Sequence, residues 1–262
     1  MRGIMGSIES IRFVYNEPAL VVNDNGRNVL VVGDLHIGAE ARLADKGIHV
    51  YGTSAEMAKH IIGTANEFSA KGVVLLGDVK ESVLYPPVSE RRAIAAFFGA
   101  LGVLDVEVVA GNHDAHLGEI AGIEPLRELV LGDVALIHGH TWPSEKAVEC
   151  RYIVTAHNHI AVTVRDSNGA LYREKAWLIA PVARAKAKER YGRFKPSRLV
   201  VMPAYNDLIL GMPVNELGSK GENINPLLRN GIFSHDRAYV YTLRGEYMGT
   251  VKELRKAKSL IP

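Results

Sequence analysis

Apolar residues along this chain come in short, largely β-branched runs, and each run ends abruptly in glycine, alanine, acid or histidine. Val29–Val32 runs into Gly33-Asp34-Leu35-His36, Val73–Leu76 into Gly77-Asp78, and Val106–Ala110 into Gly111-Asn112-His113-Asp114. Val134–Ile137 gives way to His138-Gly139-His140, and Tyr152–Thr155 to Ala156-His157-Asn158-His159. Runs this short and this continuously apolar predict strands buried on both faces of a parallel sheet. In such sheets reactive groups gather where strands end, so the five strand ends read as a single site.

Between the runs the period lengthens. Ala58, Ile61, Ile62, Ala65 and Phe68 keep helical spacing after a cap at Thr53 or Ser54, with an end near Gly72. Ile94, Phe97, Phe98 and Leu101 do the same from Ser89, beyond the break at Pro86-Pro87. A further short helix is expected over about 124–130. Upstream, Ala19–Asn23 and Val29–Val32 flank the turn signal Asp24-Asn25-Gly26-Arg27 and predict a hairpin. This alternation is the pattern of a layered α/β domain.

After His159 the character changes. A hairpin is expected within 160–178 around Ser167-Asn168-Gly169, then a basic stretch from Arg184 to Arg198 and a strand at Leu199–Met202. A Gly/Pro/Asn-rich region over 203–231 precedes a last hairpin that pairs 238–242 with 247–251 around Arg244-Gly245. With no repeat and no low-complexity linker, a second sheet packed on the first, in a single domain over 1–262, is more economical than two domains.

Composition narrows the classes. The 262 residues are 47% hydrophobic and 23% charged, enough for a sizeable globular core. A net charge of only +2 excludes a strongly basic nucleic-acid binder as a class, though not a local patch. Such a patch is offered by Arg184, Lys186, Lys188, Arg190, Arg193, Lys195 and Arg198, with Tyr191 and Phe194 interleaved and Glu189 the one acid. Cations on phosphates and bases on aromatics would suit single-stranded nucleic acid; a solvated helix and turn is the plainer alternative. Cys150 is the only cysteine, which rules out an internal disulfide and fits a reducing compartment. Met1–Glu9 lacks the apolar core of a signal peptide, and no apolar run reaches the length of a membrane span. A cytoplasmic protein with no membrane partner is expected.

The polar residues at the strand ends then supply the chemistry. Asp34, His36, Asp78, Asn112, His138, His157 and His159 offer imidazole and oxygen donors without thiolate, the set that first-row divalent metals prefer. That set exceeds what one tetrahedral ion needs and suits two ions sharing a carboxylate. Two such ions outweigh the charge of Asp34 and Asp78, so the centre stays cationic and ready for an anionic phosphate, while Asn112 adds a donor without charge. Of the remaining histidines, His49, His60, His116 and His235 belong to no motif.

Asp34-x-His36, Gly77-Asp78, Gly111-Asn112-His113-Asp114, His138 and His157-x-His159, in this order, resemble the motifs of the calcineurin-like metallophosphoesterases. The resemblance covers about residues 29–160 and implies a four-layer α/β/β/α sandwich, two mixed sheets flanked by helices. It implies that Asp34, His36, Asp78 and His159 hold one metal and Asp78, Asn112, His138 and His157 the other, with Asp78 bridging. The ions are expected to be Mn, with Fe, Zn or Ni also compatible, and a metal-bound hydroxide is the implied nucleophile. His113 is expected to act as general acid or transition-state stabiliser. Two departures stand out: Ala156 replaces the usual glycine, and Glu81, which would orient His113, is one methylene longer than the usual carboxylate. Lys80 and His140, next to ligands, are candidates for touching the substrate phosphate.

Within that superfamily, Gly33–Glu40, Gly77–Lys80, His138–His140 and Pro203–Asn206 are similar to small prokaryotic phosphoesterases related to the nuclease subunit of SbcCD-type repair complexes. This implies a phosphodiesterase acting on nucleic acid or a nucleotide. The residues after His159 leave no room for a large capping domain, so no large coiled-coil partner is expected. The rival readings are a small-molecule phosphatase or cyclic-nucleotide phosphodiesterase using the same centre, and a non-catalytic scaffold with the same fold.

Overall fold

The computed structural model describes residues 4–44, 47, 53–166, 168–216 and 225–259. The first sheet is laid down in chain order as β1 (Ile4–Ile8), β2 (Ile11–Val14), β3 (Ala19–Asp24), β4 (Arg27–Val32), β5 (Gly72–Leu76) and β6 (Asp105–Val109). Pairing is antiparallel through β4, and then β4, β5 and β6 run parallel. Helices α1 (Ala39–Ala44), α2 (Thr53–Glu67), α3 (Val88–Leu101) and α4 (Leu117–Ala121) occupy the connections.

The second sheet begins with β7 (Leu129–Leu131), β8 (Val134–Leu136), β9 (Tyr152–Thr155), β10 (Ile160–Arg165) and β11 (Leu171–Pro181). Then come α5 (Arg184–Tyr191), β12 (Arg198–Val201), β13 (Met212–Pro213), α6 (Pro226–Arg229), β14 (Tyr239–Thr242), β15 (Tyr247–Thr250) and α7 (Val251–Ser259). Its spatial order is β13-β10-β11-β12-β9-β8-β7, with β14 added on β11 and β15 on β14. β8, β9 and β12 are mutually parallel.

The continuous apolar runs are explained by two-sided burial. Val29, Val31, Val74 and Leu76 point into the space between the sheets, while Leu30, Val32, Val73 and Leu75 point to the helices of the first sheet. In the second sheet Val154 and Val200 face inward, whereas Ile153, Leu199 and Val201 face a separate outer core that takes in Ala187, Leu227, Leu228 and Val251. A strand with apolar neighbours on both faces has no polar side to alternate with. The result is helices, sheet, sheet, helices: the α/β/β/α sandwich that the motifs imply.

Local expectations differ in places. The helix expected over 124–130 is absent; the turn of helix lies earlier, in α4, and β7 covers part of that range. Gly122, at φ 70°, closes α4, and the chain after it extends along β6, with Ala110 N–H donating to Leu126 O at 2.7 Å and Leu126 N–H to Val108 O at 2.8 Å. The expected strand 247–251 stops at Thr250, where α7 begins. Thr250 and Glu253 form a reciprocal cap: Glu253 Oε2 accepts from Thr250 N–H at 2.8 Å, and Thr250 Oγ1 accepts from Glu253 N–H at 3.3 Å. Helix α1 and the β1–β2 hairpin are elements that the apolar patterning does not announce. His49, Ser167 and positions 217–224 of the Gly/Pro/Asn-rich region lie outside the described residues. No helix among the described residues is long and apolar enough to cross a membrane.

Trp177 on β11 anchors the space between the sheets. It is fully buried and meets the edge of Phe13 at 4.8 Å between ring centroids. Trp177→Ala should lower unfolding stability by about 3–5 kcal/mol in urea titration. Trp177→Phe should cost clearly less, because it removes an indole N–H that has no partner among the described residues.

Candidate metal centre

The packing of the two sheets brings five strand ends to one edge. β4 delivers Asp34 and His36, β5 Asp78, β6 Asn112 and His113, β8 His138, and β9 His157 and His159. Asp34, His36, Asp78, His157 and His159 all have positive φ, between 44° and 66°, which turns each chain sharply at the site. Left-handed backbone at such residues costs of order 1 kcal/mol each and persists only where the surroundings enforce it. The strand ends are close enough to dictate glycine. A Cβ on Gly111 would lie 2.2 Å from Asp78 N, and one on Gly77 would lie 2.3 Å from the His138 ring. Ala156, where glycine is usual, is fully buried with its methyl in the inter-sheet core; it is accommodated because Gly33 opposite has no Cβ, which would otherwise sit 2.8 Å away.

Two groups of side chains converge. Asp34, His36, Asp78 and His159 each present one donor atom, all within 4.8 Å of one another, and so do Asp78, His138 and His157. Asp78 belongs to both. His36 Nε2 faces His159 Nε2 at 3.1 Å, His138 Nε2 lies 3.0 Å from Asp34 Oδ1 and 3.6 Å from Asp78 Oδ2, and His159 Nε2 lies 3.4 Å from Asp34 Oδ1. His157 Nε2 is buried and has no hydrogen-bond partner among the described residues. Ring nitrogens facing one another around ionised carboxylates, with one left unpaired, are arranged as ligands are. The residues present therefore fit divalent metal.

Charge coupling follows the same geometry. Burial opposes ionisation of Asp34, yet His159 and His138 overcome it and hold that carboxyl far below its ordinary range. Burial likewise opposes charge on His138 and His159, but Asp34 raises both. His157, pushed down to about 4 by burial and by His138, stays a neutral donor at neutral pH.

The supporting contacts differ from expectation at three residues. The Glu81 carboxylate lies 2.9 Å from His36 Nδ1, directing the other ring nitrogen of His36 into the site, as carboxylates do behind metal-binding histidines. Its backbone carbonyl, rather than its side chain, meets His113 Nδ1. Since a carbonyl only accepts, His113 Nδ1 carries the proton and Nε2 is left for chemistry. His113 N–H donates to Asp78 Oδ1 at 3.0 Å, which sets the imidazole beside the shared carboxylate. Lys80 is fully buried, and its ammonium donates to the carbonyls of Ser82 and Leu84; it fastens that loop and cannot reach a substrate. His140, half-buried, has its Nδ1 3.1 Å from His138 Nδ1 and backs that ring. Asn112 is exposed at the tip of its loop, between Gly111 and His113.

Two supports escaped sequence reading as chemistry. Asp114 accepts from Gly111 N–H at 2.7 Å and Val79 N–H at 2.8 Å, clamping the Asn112 loop to the Asp78 strand end. Asn206 donates to Leu35 O at 2.8 Å, and Tyr205 N–H donates to Gly33 O at 2.9 Å, holding the loop that carries Asp34 and His36. The signal for Asn206 was there: Leu199–Met202 is a sixth apolar run that ends in a polar motif.

The fold has known counterparts. A nuclease named MPE from Pseudomonas putida superposes with a TM-score of 0.53 at 15% identity, over 89% of this chain and 90% of that one. The phosphoesterase Yfce from E. coli aligns with a TM-score of 0.37 at 12% identity, over 84% of this chain and 96% of that one. No family model and no curated protein matches the sequence. The chain shares the fold of the P. putida nuclease, two mixed sheets flanked by helices.

Two measurements probe the centre. Because His138 and His159 keep protons more tightly than a free imidazole, metal must displace them. Apparent affinity for Mn²⁺, read by calorimetry, should therefore be lower at pH 6 than at pH 8, because protons held on these rings compete with the metal. Glu81→Gln should weaken metal binding by about 10–100-fold. It should leave turnover at saturating metal nearly unchanged, since the carbonyl on His113 is kept.

Proposed function

We infer that the protein is a binuclear metal-dependent phosphodiesterase whose substrate is nucleic acid or a nucleotide. The observation that carries this reading is the double membership of Asp78: one buried carboxylate serves two ligand groups, as a bridge between two ions must. Asp34, His36, Asp78 and His159 would hold one ion, and Asp78, His138 and His157 the other, with Asn112 completing the second group. When bound, two divalent ions would activate water at neutral pH and neutralise the phosphate. Mn²⁺ suits the mixed nitrogen and oxygen set; Fe, Zn and Ni suit it too.

The chain's own groups do the rest. His113 keeps its Nδ1 proton on the Glu81 carbonyl, so a second proton, carried on Nε2 by the imidazolium form, is the one it would give to the departing oxygen, leaving the neutral Nδ1–H ring. Asp78 fixes the His113 backbone and so the distance between acid and metals. Glu81 and His140 orient His36 and His138 respectively. The P. putida neighbour is a nuclease, which favours a diester over a monoester.

His113→Ala should retain its full metal content by elemental analysis yet hydrolyse bis(p-nitrophenyl) phosphate with kcat reduced by about 10²–10⁴-fold. Asp78→Asn should lose both metal and activity. Unchanged turnover in His113→Ala would sink the assigned acid, and a wild type that binds metal but cleaves no phosphoester would favour the scaffold reading.

A further inference from the structure

The basic helix α5 is tied to the metal centre through a residue that is distant from it in sequence. Arg190 sits over Trp142, its guanidinium carbon 3.5 Å from that ring centroid and 5.6 Å from the Tyr191 ring centroid. Trp142 follows the backing histidine His140 by two residues, so their Cα atoms are at most about 7 Å apart. The indole is fixed in turn: Arg127 donates to its carbonyl at 3.2 Å, and Tyr191 Oη donates to the neighbouring Pro143 carbonyl at 3.3 Å. Arg127 itself follows Leu126, whose carbonyl pairs with Ala110 at the root of the Asn112–His113 loop. The platform is thus anchored to both flanks of the site.

Beside it opens a cavity of about 450 Å³ lined by Trp142, Lys186, Glu189, Arg190, Asn230 and Ile232. Lys186, Lys188, Arg190 and Arg193 are exposed and have no acidic partner among the described residues. The aromatics that sequence alone would choose for stacking are otherwise engaged. Phe194 packs on Phe233 at 5.8 Å, and Tyr191 on Phe194 at 5.5 Å, at the edge of the outer core.

We propose that the Trp142–Arg190 platform and the cavity beside it form a base-binding subsite for single-stranded nucleic acid, which places a neighbouring phosphodiester at the metal centre. This rests on the phosphodiesterase reading for its catalytic consequence but not for binding. A guanidinium stacked on an indole presents a second flat, cationic face on which any base can stack. The unpaired cations of α5 meet the backbone phosphates. A duplex, whose bases already stack on one another, cannot offer one to the platform.

The test uses the full chain in EDTA, so that binding is read without catalysis. A fluorescein-labelled oligo-dT should bind by anisotropy more tightly than its duplex with oligo-dA, and should quench the exposed share of tryptophan emission. Trp142→Phe should abolish that quench, since Trp177 is fully buried. Arg190→Ala should weaken single-strand binding by about tenfold. Lys186→Ala/Lys188→Ala should flatten the salt dependence, lowering the log–log slope by roughly 0.7 per lost contact. With Mn²⁺ added, both variants should hydrolyse the chromogenic diester within about twofold of wild type while KM for the oligonucleotide rises with the binding loss.

Wild-type affinity in both variants, or equal loss on duplex and single strand, overturns the subsite. A wild type that binds oligonucleotide as expected but hydrolyses neither substrate overturns the catalytic reading alone.

Discussion

The fold hangs on a constraint at one edge: buried carboxylates must be surrounded by imidazoles from both sheets. Asp34 is fully buried, and its ionised form is sustained by His138 and His159, which arrive from the opposite sheet. An isolated buried carboxylate would be neutral or destabilising. Here the sheets must meet in one register for the charge to be met, and that register also decides where Asp78 falls. The glycines at 77 and 111 follow from the same demand, because the backbones approach too closely for any Cβ.

That demand sets what the centre can do. Strand ends with left-handed turns aim side chains that ordinary strands would send to opposite faces. The supporting contacts then fix ring orientation: Glu81 behind His36, His140 behind His138, and a carbonyl behind His113. The orientations of His36 and His113 are therefore set by different atoms of one residue, since Glu81 uses its carboxylate for one and its main chain for the other.

Around the centre the charge is arranged by distance from it. At the centre Asp34, Asp78 and Glu81 lie among the histidines. The cations that would meet a polyanion lie outside, on α5 and at Arg127. A chain with a net charge of only +2 can thus carry a locally basic helix without being a basic protein.

Much of this was legible in the sequence. The five apolar runs marked the residues that meet at one edge, because a strand buried on both faces leaves a sharp boundary where polar residues resume. The alternation of runs and helical spacing gave the layers, and the order of the motifs gave the resemblance. What the sequence could not decide was direction. Lys80, adjacent to a ligand, turns inward to loop carbonyls; Glu81 divides its two functions between side chain and backbone; Phe194 sinks into the outer core while Trp142, far from the basic run, takes up Arg190. Those outcomes depend on which surfaces two sheets and their helices bring together across more than a hundred residues. Periodicity encodes which face of an element is buried, and only packing decides what that face meets.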